Sequence, residues 1–137
     1  IRIRTTSPVP GTPLYQMMER GDWEPLTEKA KVIEIRQMIE HLEGITSTVQ
    51  SDHMMNLIED ANGTLPEDKG GILAPLDRFL SMSEEDQECF IAARRTGNIR
   101  LLADYRGSGE FLNLRERLKA MYGTVENAAL QMSGRTL

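Results

Sequence analysis

Apolar and polar residues alternate from the first position. Ile1, Ile3 and Thr5 fall on one side of an extended chain and Arg2, Arg4 and Thr6 on the other, which predicts a short strand over 1–7. Pro8, Pro10 and Pro13 remove backbone donors and Gly11 permits a turn, so the strand stops there. Leu14 to Arg20 fits a short helix closed by Gly21. Thr27 can cap the next helix, and Glu28 complements its positive end. Val32, Ile35, Met38, Ile39 and Leu42 then recur at spacings of three and four, and Gly44 marks a stop. Ile45 to Gln50 is rich in β-branched residues and predicts a second strand. Strand, helix and strand with short connections make a βαβ unit, whose strands pair in parallel.

After about residue 52 no further strand is predicted. Asp52 to Ile58 reads as a short helix and 60–66 as a turn-rich connection. Glu67 to Met82 has a helical pattern, with Gly70, Gly71 and Pro75 predicting a late start or a kink. Ser83 opens a capping-box-like sequence, and that helix runs to about Arg95 before Gly97. Asn98 to Tyr105 fits another short helix. Phe111, Leu114, Leu118 and Met121 mark an amphipathic helix, 124–132 a last one, and 133–137 a fraying end. The fold class is therefore an α/β remnant plus helices: one βαβ unit followed by a mainly α-helical half.

With 137 residues the chain has room for one domain of ordinary size. No apolar run approaches the roughly 20 residues of a membrane span. The balance of 16 basic and 21 acidic residues gives −5, which argues against broad binding to nucleic acid. A single cysteine excludes an intrachain disulfide and any multi-cysteine metal site within this chain, and fits a reducing, cytoplasmic setting. The sequence opens inside a strand at Ile1. We expect a fragment of a longer protein, a processed terminus being the other reading. The orphan strand would also favour self-association into a homo-oligomer.

In α/β sheets, sites lie beyond the carboxyl ends of parallel strands. Here those ends are Thr5-Thr6-Ser7 and Gln50-Ser51-Asp52-His53. The Arg2/Arg4/Thr6 and Thr46/Thr48/Gln50 faces would look into a polar lumen, or equally into solvent. Ser51, Asp52 and His53 are too close in sequence to form a Ser-His-Asp triad. Capping a helix start is their plainer role, and ligand contact by His53 the sharper one. His41 near a helix end and Cys89 beside Phe90 read as structural, and the methionines as core filling. Arg94, Arg95, Arg100 and Arg106 read as a solvated helix face. Pro10-Gly11-Thr12 lacks the glycines and lysine of a phosphate loop.

Ile1-Arg2-Ile3-Arg4-Thr5, Pro10-Gly11-Thr12-Pro13-Leu14-Tyr15 and Glu24-Pro25-Leu26-Thr27 follow one another in order. Together they resemble the late part of the barrel of radical S-adenosylmethionine (radical SAM) enzymes, in the coproporphyrinogen-oxidase-like and Elongator-subunit-like branch. Gln50-Ser51-Asp52-His53-Met54-Met55-Asn56-Leu57 and Leu65-Pro66-Glu67-Asp68-Lys69 are similar to a C-terminal stretch of that group. The resemblance covers about residues 1–80.

It implies that 1–60 holds the last strands and helices of a partial (β/α) barrel and 61–137 a helical C-terminal extension. It also implies a parent with a 4Fe-4S cluster on a Cys-x3-Cys-x2-Cys loop and S-adenosylmethionine on the cluster. None of those cysteines is in this chain, so it binds neither group alone, holds no metal site and depends on the missing N-terminal barrel. Arg2, Arg4, Thr6, Gly11 and Thr12 would lie towards the cofactor, and Gln50, Ser51, Asp52 and His53 towards the substrate. A helical interaction or scaffold module without chemistry is the alternative.

Overall fold

The computed structural model describes residues 1–133. The expected fraying end therefore lies outside the described residues from 134 onward. Among the described residues there are six α-helices: α1 (Pro13–Glu19), α2 (Glu28–His41), α3 (Lys69–Ser81), α4 (Glu84–Arg95), α5 (Leu112–Tyr122) and α6 (Val125–Ser133). Two short strands, β1 (Thr48–Val49) and β2 (Gly63–Thr64), pair antiparallel.

The first residues join this sheet from the other side. Arg2 forms a parallel bridge with Gln50, through Ile3 N–H to Gln50 O (2.9 Å) and Gln50 N–H to Ile1 O (2.9 Å). The expected strand over 1–7 and its βαβ unit are reduced to this one parallel bridge, with α1 and α2 between its two sides; the sheet among the described residues is the antiparallel β1–β2 pair. The alternation decides which face is covered. Ile3 and Val49 are buried in one core with Val32 and Ile39 of α2, while Arg2, Arg4, Thr46 and Thr48 are exposed on the opposite face.

Local chemistry sets the helix starts. Thr27 Oγ1 accepts from Ala30 N–H (3.1 Å), and Ser83 Oγ accepts from Asp86 N–H (3.1 Å). The helix predicted from Glu67 begins at Lys69 and passes through Pro75, because Ile72, Leu76 and Phe79 bury its apolar face. Helices α3, α4, α5 and α6 close the core, where Phe79, Phe90, Tyr105 and Phe111 form a chain of rings with centroids 5.8 to 6.2 Å apart.

Four expectations are corrected. Residues 52–58 are not a helix but an irregular loop, because side chains of Ser51 and Asn56 take the backbone groups a helix would use. Gly63–Thr64 is an unforeseen strand. It fits only glycine at 63, since a Cβ there would stand 2.6 Å from Asp68 Cβ. The stretch 98–105 holds only a 3-10 turn, Leu102–Asp104, whose Leu102 and Ala103 N–H groups donate to the Asp60 carboxylate at 2.8 and 3.0 Å. Met121 is 72% exposed and does not join the core.

Candidate functional site

The loop after β1 is the best-organised polar region. Asn56 is fully buried, and its side-chain amide continues the parallel ladder beyond Gln50. It accepts from Thr5 N–H (3.0 Å) and donates to Ile3 O (2.7 Å), as a peptide unit of a longer strand would. It also donates to Ser51 O at 3.1 Å. Ser51, likewise buried, donates from Oγ to Ile58 O (2.7 Å), and its N–H donates to Asn62 Oδ1 (2.7 Å). Ser51 is therefore a loop-shaping residue. His53 Nδ1 accepts from Met55 N–H at 3.3 Å, which directs Nε2 away from the loop backbone.

Two arginines at the end of α4 hold this loop from outside. Arg94 donates through Nη2 to Met54 O (3.0 Å), Asn56 O (3.2 Å) and the buried Glu59 carboxylate. Arg95 donates to Met54 O (3.1 Å) and Met55 O (2.9 Å), and grips the buried Glu28 carboxylate at 2.9 Å from Nη2. Arg100, with an exposed side chain, donates from Nε to the second Glu59 oxygen (2.7 Å). Burial pulls the Arg94 guanidinium below its ordinary value, opposed by Glu59, while the bond to Glu59 raises Arg100. The reading of Arg94 and Arg95 as a solvated face is overturned. They lie four residues after Phe90 and Ile91 and continue the buried side of α4. That spacing was the available signal for them.

The candidate residues divide between two cavities. Arg2, Arg4 and Thr6 line a cleft of about 620 Å³ together with Trp23, Ile35 and Met38. Asp52 and His53 line a second, of about 500 Å³, with Glu59, Arg94 and Arg100. The remaining candidates line neither cavity. Gln50 is half-buried and serves the ladder. Thr12 caps α1, accepting from Tyr15 N–H at 3.3 Å, and Gly11 sits in the turn before it with φ +88°.

The arrangement offers hydrogen-bond donors beside one carboxylate, Asp52, that has no hydrogen-bond or ion-pair partner among the described residues. Among those residues no group of three His, Cys, Asp or Glu side chains is placed to hold a metal ion. Among the described residues no helix is long and apolar enough to cross a membrane. No family model, curated protein or solved structure matches this chain.

Proposed function

We propose that this chain is the C-terminal part of the catalytic barrel of a radical SAM enzyme. It would contribute lumen and a helical cover and be inactive alone. One observation carries the reading. Arg2 bridges in parallel to Gln50, the residue after β1, helices cover the isoleucine–valine face, and the arginine–threonine face is left polar and open. A covered apolar face and an open polar face on parallel-bridged chain are compatible with the last units of an α/β barrel, and support the reading to that extent. In this role Arg2, Arg4 and Thr6 face the lumen. Asp52 and His53 meet the substrate at the carboxyl end of the next strand, held there by Asn56, Arg94 and Arg95.

The chain's own residues do not fit an iron–sulfur cluster. Its single cysteine, Cys89, is buried in the core, where desolvation pushes the thiol up to about 11. The cluster and S-adenosylmethionine would therefore be held by the upstream part of the parent. The test is to express the parent frame, reconstitute it with iron and sulfide, and assay 5′-deoxyadenosine. A Cys-x3-Cys-x2-Cys loop upstream and nucleoside release support the proposal. A parent without that loop ends it and leaves the helical scaffold reading, which predicts a melting temperature indifferent to S-adenosylmethionine.

A further inference from the structure

The cleft beside the first residues has a free backbone edge. The inner ladder uses Ile1 O, Ile3 N–H, Ile3 O and Thr5 N–H. The N–H and C=O groups of Arg2 and Arg4 point the other way and have no partner among the described residues. Both guanidinium groups are likewise without an acceptor among those residues, and both side chains are exposed. The same cleft is lined from α2 by half-buried Ile35 and exposed Met38, with the oppositely charged Lys31 and Glu34 beside them. The edge thus carries two demands at a period of two residues: carboxylates on the arginine face and apolar side chains on the α2 face.

We infer that this edge receives one parallel β-strand whose side chains alternate between acidic and apolar. The acidic residues would stand beside Arg2 and Arg4, and the apolar ones against Ile35 and Met38. This deepens the barrel proposal and rests on it for the source of the strand, the preceding strand–helix unit of the same protein. A second copy of this edge fits less well. Antiparallel pairing centred on Arg4 sets arginine against arginine, and pairing centred on Ile3 sets Arg2 against Arg4.

Trp23 lines the cleft and is the single tryptophan, so its emission reports this site alone. The probes are two labelled eight-residue peptides, one alternating valine with glutamate and one alternating valine with lysine. Binding is read by anisotropy and located by Trp23 emission. The expected result is saturable binding of the glutamate peptide with a change in Trp23 emission. It should be roughly tenfold tighter than the lysine peptide, the scale of two exposed ion pairs. The double variant Arg2→Glu/Arg4→Glu should reverse the preference. Arg4→Pro should abolish binding without moving the melting temperature, since the N–H it removes lies on the free edge.

The inference is overturned if the glutamate peptide binds no tighter than about 1 mM. It is also overturned by equal binding of both peptides, by indifference to the charge reversal, or by a dimer that Arg4→Pro dissolves. A parent without the three-cysteine loop would end the radical reading and leave the peptide result standing. A failed peptide titration would end this inference and leave the radical reading open to its own assay.

Discussion

Asn56→Ala removes the side-chain amide that stands in for a strand residue. Four contacts go with it: the bond from Thr5 N–H, the bond to Ile3 O and a shared Nδ2 donation to Ser51 O and Ser51 Oγ, which together count as three interactions. Each contributes a net ~1 kcal/mol, and Ile3 O, under the buried Ile3, is left without a donor. The expected loss is about 3 kcal/mol, or a melting temperature lower by about 10 °C for a domain of this size. Urea melts followed by circular dichroism measure it, with the exposed Asn113→Ala on α5 as control. Asn56→Asp should cost more than alanine at neutral pH, because it turns a carboxylate oxygen towards Ile3 O and Ser51 O. If Asn56→Ala melts within about 2 °C of the control, the amide does not carry the ladder and the strand-end geometry loses its main support.

Two further outcomes follow from the charges around this loop. Arg95→Met leaves the buried Glu28 carboxylate with only the longer Lys31 contact (3.9 Å) and should cost about 3 kcal/mol in chemical denaturation. Adding Glu28→Gln should recover part of that loss, and no recovery would count against the pairing. Glu126 of α6 accepts from the Glu28 N–H at the start of α2 (2.7 Å). Desolvation raises its carboxyl above the ordinary glutamate value, with the nearby Glu28 carboxylate adding to the rise and the backbone N–H bonds and Lys31 opposing it. A carboxyl raised in the folded state adds stability that is complete below the unfolded glutamate value and is lost as pH rises through the folded value. The stability difference between Glu126→Gln and the parent sequence should therefore shift in the variant's favour as pH rises through that window. A difference flat with pH in paired denaturant melts would refute the shift.

The parallel pairing was legible because alternation and β-branching both point to strands, and because the β-face that α2 covers carries Ile3 and Val49. The start of α4 was legible from Ser83 followed by three acidic residues. The loop at 52–58 was not. Its residues suit a helix locally, and bonds reaching back from Asn56 to Ile3 and Thr5, more than fifty positions away, outweigh that preference. Arg94 and Arg95 misled through their type: arginine suggests solvent, whereas their place on the helix follows the buried stripe. The Glu126 cap on α2 joins residues 98 positions apart and leaves no local trace. Among the candidate residues, Asp52 and His53 line a cavity just after β1. Ser51 turned inward because the loop needs its hydroxyl.

We propose that this chain completes a radical SAM barrel. The most direct measurement is 5′-deoxyadenosine release by the full parent protein after iron and sulfide reconstitution under anaerobic conditions. The account predicts nucleoside that depends on S-adenosylmethionine, reductant and an upstream Cys-x3-Cys-x2-Cys loop, and none from residues 1–137 alone. A parent that contains the loop and binds iron yet releases no nucleoside, or a parent frame with no such loop, would contradict it.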